Sequence, residues 1–230
     1  VLGQVSERLP FSTYWAANDE AVAFAVEKVS ENQFRGTAQV AGAQVVKTLT
    51  IDPVRYAVQI DVQATGLDAN FKGFHTYVSD LLLEHESGSL FAPALEMQDL
   101  FFTSEGSGTH NILIKKDGFQ VAQKNVDVMS LGFHYFALAL VNRSDLLPRL
   151  EANIVPNSGF AVSRLVHQPV NPVSEFRVQF DGFAGPKQLA VLENVDPKLG
   201  EVIQFGIFSW IAKPLLQLLQ LLNTFFHNYG

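Results

Sequence analysis

Apolar and polar residues take turns along much of this chain, and that alternation decides what it can fold into. Arg55–Ala64 (RYAVQIDVQA) shows it best: Tyr56, Val58, Ile60 and Val62 alternate with Ala57, Gln59, Asp61 and Gln63. A period of two gives a strand one apolar face, whereas a helix needs a longer period. Runs rich in Val, Thr and Phe continue the rhythm at Ala21–Val29, Gln33–Val40, Gln44–Ile51, Phe74–Val78, Glu96–Thr103 and Asn111–Lys115. Phe133–Val141, Leu150–Val155, Phe160–His167 and Glu175–Phe180 complete the series. Turn formers separate them, among them Asp52-Pro53, Asp117-Gly118, Pro156-Asn157-Ser158-Gly159 and Asn171-Pro172. Many short strands without alternating helices predict an all-β sandwich of two antiparallel sheets. Glu86–Ser89 and Ser104–Thr109 read as mobile loops. With no internal repeat and no flexible linker in view, the chain reads as one β domain, residues 1–186, with a helical tail, residues 187–230.

The rhythm changes after Gly185-Pro186-Lys187. Gln188–Asn194 fits a short helix with Leu189 and Leu192 on one side, and Asp196-Pro197 and Gly200 then break the chain. From Phe205 to Phe226 the sequence is FGIFSWIAKPLLQLLQLLNTFF, with Lys213 its one charge. Lys213, Gln217, Gln220, Thr224 and His227 recur at helical spacing and form one narrow polar stripe. An amphipathic helix over about 208–227 is expected, starting or bending near Pro214. Pro214, Lys213 and the two glutamines argue against a bilayer span. The apolar arc is wider than a surface helix docked on its own sheet normally buries. A membrane interface fits best, with Trp210, Ile211, Leu215, Leu218, Leu219, Leu222, Phe225 and Phe226 as the lipid-facing residues.

Composition closes off other functions. The net charge of −7 and the lack of any Lys/Arg cluster argue against nucleic-acid binding. The same charge means that membrane contact is mainly apolar. No cysteine is present, which excludes disulfides and thiolate chemistry. His75, His85, His110, His134, His167 and His227 show no metal-ligand spacing and read as strand or loop histidines, His134 as a buried one. The carboxylates Asp80, Glu84, Glu86, Glu96 and Asp99 read as solvated charges rather than a glycosidic pair. Gly106-Ser107-Gly108 is not a nucleophile elbow, and Gly182–Lys187 lacks the spacing of a phosphate loop. Asn142-Arg143-Ser144 fits a glycosylation sequon. No catalytic, cofactor or metal residue is assigned, and the chain is read as non-enzymatic. Running from Val1 to Gly230, it reads as a piece of something longer or as a processed product.

Several of these segments, taken in order, resemble one family. They are Gly185-Pro186-Lys187, Phe205-Gly206, Ile211-Ala212-Lys213-Pro214-Leu215-Leu216 and Asn228-Tyr229-Gly230. Upstream, Gly132–Ala137 (GFHYFA) and Val46–Val62 (VKTLTIDPVRYAVQIDV) are similar to two further segments of it. The family is the YidC membrane insertase family, and the likeness is to its large periplasmic domain. Phe183-Ala184 and Gln204 depart from the residues common there, which alters the junction's polarity and leaves the assignment in place. The resemblance implies a galactose-mutarotase-like β-supersandwich, a tail lying on the outer face of the bacterial inner membrane, and a membrane span following it. It further implies nascent membrane proteins as clients and the Sec translocon with SecDF as partners. The alternative function, from fold analogy, is a carbohydrate-binding or sugar-converting sandwich, which requires a His and a carboxylate in hydrogen-bond reach within a cleft.

Overall fold

The computed structural model describes residues 9–81, 98–114, 119–132, 135–155 and 160–203. These form two antiparallel sheets. The smaller has six strands, in the order β10 (Gln120–Gln123), β13 (Arg149–Val155), β14 (Phe160–His167), β7 (Phe74–Leu81), β1 (Thr13–Trp15) and β2 (Glu20–Ala21). The larger has nine, beginning β3 (Ala25–Lys28), β4 (Gln33–Val40), β5 (Ala43–Asp52), β6 (Ala57–Thr65) and β15 (Glu175–Pro186). It continues β12 (Phe136–Asn142), β11 (Val126–Gly132), β8 (Asp99–Ser104) and β9 (Gly108–Leu113). The expected all-β supersandwich is the observed fold. The expected amphipathic helix, with all eight of its lipid-facing residues, lies outside the described residues, as do Glu86–Ser89 and His134.

Alternation works in β6 as the sequence implies. Ile60 and Val62 are buried in the core, while Gln59 and Gln63 are exposed on the other face. The two inner faces share one core, in which Trp15, Phe74, Leu100, Phe102, Leu131, Leu140 and Phe180 pack together. Phe71 anchors an aromatic group within it, its ring 4.9 Å from Trp15 and 5.3 Å from Phe176. Such tilted and edge-on contacts each add about 0.5–1.5 kcal/mol beyond area burial.

The structure revises several local expectations. Ser104–Thr109 is no mobile loop: it is the tight hairpin turn joining β8 to β9, with Ser104 paired to Gly108. The strand read as Glu175–Phe180 is longer, because β15 runs on through Pro186 and pairs with β12 from Phe180 to Pro186. Its glycines answer to crowding. A Cβ on Gly182 would lie 2.9 Å from Val58 Cγ1, and one on Gly185 would lie 2.8 Å from Tyr56 Cβ. Three strands escaped the sequence reading, β1, β10 and β11. β11 has six of its seven residues buried, so it shows no alternation to read.

The outer face of β8, β11, β12 and β15 is apolar, and the residues after Pro186 cover it. Helix α1 (Leu189–Val195) presents Leu189, Leu192 and Val195 to the sheet. Asp196 ends it and does more than break the chain: its carboxylate accepts the Lys198 N–H at 2.9 Å and starts a 3-10 turn, Pro197–Val202. Leu192, Leu199 and Val202 then pack on Phe101, Val128, Ala139, Val141 and Phe183 as a second core. Each such leucine contributes about 1.5–3 kcal/mol.

Ion pairs hold this cover in place. Lys187 Nζ lies 3.0 Å from Asp99 Oδ1, with both side chains nearly buried, 8% and 10% exposed. Arg143 reaches from the end of β12 to Asp181 and Asp196, 2.8 Å each, and donates to the Val195 carbonyl at 3.0 Å. Lys198 pairs with Asp127, and Thr109 Oγ1 donates to Glu201 Oε2 at 2.6 Å.

Among the described residues, two ionisable side chains sit deep between the sheets. Lys47 on β5 donates to the Phe11 carbonyl at 2.6 Å and to Thr13 Oγ1 at 3.1 Å, tying the larger sheet to β1. Burial pushes its pKa down to about 8. His167, at the end of β14, is fully buried and pairs through Nε2 with Asn142 Oδ1 at 3.1 Å, its ring 5.7 Å from that of Phe180. Asn142 in turn donates to the Ser144 and Leu146 carbonyls, so the amide of the sequon is fully engaged. Gly73 makes room for this strand end, because a Cβ there would lie 1.8 Å from the His167 carbonyl oxygen.

Burial holds the His167 pKa down at about 3 against an ordinary 6.5. The unfolded chain therefore binds the extra proton first, and stability present above pH 6.5 is lost as pH falls toward 3, by on the order of 5 kcal/mol. Urea unfolding followed across that range should show the loss, and His167→Gln should flatten it; an unchanged slope in the variant would contradict this account. Lys187→Met should cost about 3–5 kcal/mol, since it removes the cation paired with the nearly buried Asp99 carboxylate. Adding Asp99→Asn should recover part of that, and a single-variant loss below about 1 kcal/mol would mean the pair behaves like a surface bridge.

Candidate functional site

Strand geometry brings a polar cluster to the outer face of the smaller sheet. Alternation along β7 sends Phe74 and Val78 into the core and leaves His75 and Tyr77 on the other face. Neighbouring strands add Glu151 from β13 and Arg164 from β14, placed directly opposite each other in the ladder. Asp19 arrives from the turn between β1 and β2. It meets Arg164 from 145 positions away in the chain. Exposed Gln120 and Asn153 extend the cluster toward the β10 edge. Asp19, Tyr77, Glu151, Arg164, Gln120 and Asn153 line a cleft of about 670 Å³.

The network within the cleft is dense. His75 Nδ1 lies 2.7 Å from Asp19 Oδ1, and the Tyr77 hydroxyl lies 2.9 Å from both Asp19 oxygens. Arg164 Nη1 donates to the Tyr77 hydroxyl at 2.8 Å and approaches Asp19 Oδ1 at 3.2 Å. Its Nε and Nη2 hold Glu151 Oε2 at 2.8 and 2.6 Å, while Arg149 takes Glu151 Oε1 at 2.7 Å. Desolvation works to raise the Asp19 carboxyl, but the bonds from His75 and Tyr77 and the Arg164 charge outweigh it and hold the pKa below the usual range. Burial lowers His75, and its bond to Asp19 offsets that only in part. Burial, then the bond to Asp19, pushes Tyr77 up to about 12. At neutral pH the cluster thus holds an ionised Asp19, a neutral His75 and a neutral Tyr77. With Nδ1–H given to Asp19, the ring is fixed in one tautomer.

The other sequence candidates do not converge here. Asp99 is taken by Lys187 and by Asn111 Nδ2 at 3.0 Å. Glu84, Glu86, Glu96, His85 and His227 lie outside the described residues, as does the side chain of Asp80. Ser107 belongs to the β8–β9 turn, where its hydroxyl meets Ser104 Oγ at 2.6 Å and His110 Nε2 at 3.1 Å, and the His110 ring stacks on Phe102. Among the described residues, no three His, Cys, Asp or Glu side chains group as a metal site. Sequence reasoning missed the Asp19–His75–Tyr77–Arg164–Glu151 cluster. No alternation announced it, since Arg164 stands between Val162 and Val166 on its face of β14, and only the sheet order brings it beside His75 and Tyr77 of β7.

Comparison with known proteins places the chain. A family model described as the YidC periplasmic domain matches residues 2–218. The membrane protein insertase YidC of Geotalea uraniireducens (strain Rf4) is 31% identical over 109 residues, covering 46% of this chain and 20% of that protein. The protein of the same name from Vibrio atlanticus (strain LGP32) is 24% identical over 206 residues, covering 84% of this chain and 36% of that protein. The chain therefore spans about a fifth to a third of the length of these relatives. Among solved structures, the galactosidase domain of the alpha-galactosidase-sucrose kinase AgaSK superposes with a TM-score of 0.48 at 8% identity, over 80% of this chain and 30% of that one. A likeness that slight carries no argument. Among the described residues no helix is long and apolar enough to cross a membrane. The match runs from the second residue through the whole sandwich and its helical cover, and on that ground the chain belongs to the YidC periplasmic domain family.

Proposed function

We propose that this chain is the accessory, non-catalytic part of a membrane protein insertase, standing on the periplasmic face of a bacterial inner membrane. Residues 1–186 form the supersandwich body in this reading, and residues 187–230 form a helical root and an interfacial helix. The observation that carries it is the family match over residues 2–218, which takes in the sandwich, its cover and the start of the apolar stretch. The body supports insertion and folding through contacts with nascent membrane proteins, in a holdase-like role, or with the Sec translocon and SecDF. Trp210, Ile211, Leu215, Leu218, Leu219, Leu222, Phe225 and Phe226 hold it to the lipid surface. What supports their role is the single polar stripe opposite a wide apolar arc.

Vesicle flotation tests the anchor. Replacing Leu215, Leu218, Leu222 and Phe225 together by Ser should lower partition of the full chain into phosphatidylcholine–phosphatidylglycerol vesicles by roughly 100-fold or more, since each buried side chain contributes about 1.5–3 kcal/mol. Unchanged partition would reject the anchor.

One observation favours a carbohydrate reading: a His–carboxylate pair in hydrogen-bond reach, His75 and Asp19, does sit beside a cleft. The network weighs against it, because Asp19 and Glu151 are already engaged by arginine, tyrosine and histidine. Titrating galactose and glucose into the protein should give no heat. A heat that disappears in Asp19→Asn would establish this reading instead.

A further inference from the structure

Large apolar side chains reach solvent at one end of the larger sheet. Of ten such exposed residues among the described ones, five collect there: Ile51, Val54, Tyr56, Tyr135 and Phe136. Val54 is 84% exposed, Tyr135 66% and Phe136 62%. The β-ladder accounts for the gathering. The Ala184 N–H donates to the Tyr56 carbonyl at 3.0 Å, Phe136 pairs with Pro186, and the Lys187 N–H donates to the Tyr135 carbonyl at 2.7 Å. The start of β6, the end of β15 and the start of β12 thus form one continuous rim. An apolar groove of about 350 Å³ opens along it, lined by Tyr56, Phe136, Leu138, Ala184, Gly185 and Pro186.

The rim is built to hold its shape. Asp52 Oδ1 accepts the N–H groups of both Val54 and Arg55 at 3.1 Å, closing the β5–β6 turn beneath Val54. Tyr56 adopts the left-handed region, φ 53°, a conformation that costs a non-glycine residue on the order of 1 kcal/mol. Gly185 leaves the space this requires. The rim also displays no net charge, because Arg55 pairs with Asp52 at 2.6 Å and Lys187 is buried against Asp99.

We propose that this rim is a second lipid-contacting surface, which rests on the boundary between headgroups and acyl chains and stands the strands of the larger sheet upright from the bilayer. Amphipathic tyrosines beside phenylalanine and aliphatic residues suit that depth. A neutral rim suits it too, on a chain whose net charge of −7 is repelled by anionic lipid elsewhere on its surface. The chain enters its cover at this rim, where the Lys187 N–H meets the Tyr135 carbonyl, and the last described contacts before the apolar stretch, Lys198 with Asp127 and Thr109 with Glu201, lie toward the other end of the same sheet. The inference rests on the reading of that stretch as an interfacial anchor: the rim adds orientation to an attachment made mainly by the tail.

The absence of cysteine allows single labels to be placed in the full chain. Val54→Cys and Tyr135→Cys report the rim, Leu222→Cys reports the tail, and Val170→Cys, 86% exposed at the far end of β15, is the control. Each variant carries bimane and is mixed with phosphatidylcholine–phosphatidylglycerol vesicles containing spin-labelled lipid. Quenching at 54 and 135 several-fold above that at 170, together with quenching at 222, is the expected result. Quenching at 222 alone overturns the rim and leaves the anchor standing. Quenching at 54 and 135 without 222 supports the rim and sinks the anchor. No quenching anywhere overturns both. A concentration-dependent spectral shift at 54 and 135 without vesicles would make the rim a contact between copies of this chain, and that too overturns the proposal.

Discussion

Double burial of the central strands is the constraint on which the rest of this structure depends. The core between the sheets takes one face of β8, β11, β12 and β15, and that face is apolar. Their other face is apolar as well, with Phe101, Val128, Val141 and Phe183 exposed to water unless something covers them. A two-sheet sandwich cannot supply that cover, because its second sheet is already used. The segment after Pro186 does so, with a seven-residue helix and a short 3-10 turn. Neither element is long enough to be stable alone. Each is stable here because it buries leucines and valines that the sheet leaves uncovered. The body and the root of the tail are therefore one folding unit.

Polar groups inside the sandwich favour arrangement more than stability. Lys47 gives a desolvated ammonium two neutral oxygens as partners, a combination less favourable than apolar packing. It does, however, fix where the segment leading into β1 sits against β5 of the other sheet, with the Phe11 carbonyl and Thr13 hydroxyl at its head. His167 and Asn142 do the same at the far end, tying the end of β14 to the loop after β12. A core of interchangeable valines and leucines permits neighbouring registers, and these buried contacts disfavour them.

Most of the fold was legible because most of its strands have one wet face. Gln33–Val40, most of whose residues keep some exposure, appears as a strand with the very limits that the alternation implies. β11 was illegible for the opposite reason: VDVMSLG is buried on both sides and contains no polar rhythm. β15 was read only as far as Phe180, although it continues through Gly182 and Gly185, which crowding by Val58 and Tyr56 explains. The polar cleft was less legible still. Asp19, His75, Tyr77, Glu151 and Arg164 are spread over most of the chain, and the order β13-β14-β7-β1 that unites them is a property of the whole sheet. The family likeness, by contrast, was carried by short contiguous segments, which need no fold to be read.

The unbroken run of β15 into the cover has a mechanical consequence. β15 pairs with β6 along its first nine residues and with β12 along its last seven, so it is held on both flanks. Tension drawn through the chain beyond Ile203 would meet the ion pairs of Lys198, Arg143 and Lys187 before it reached that strand. It would then load the ladders of β15 lengthwise, straining many hydrogen bonds at once instead of peeling them singly. Among the described residues a body attached in this way behaves as a stiff lever, so a tug on the tail would tilt the whole sandwich before it unravelled any part of it.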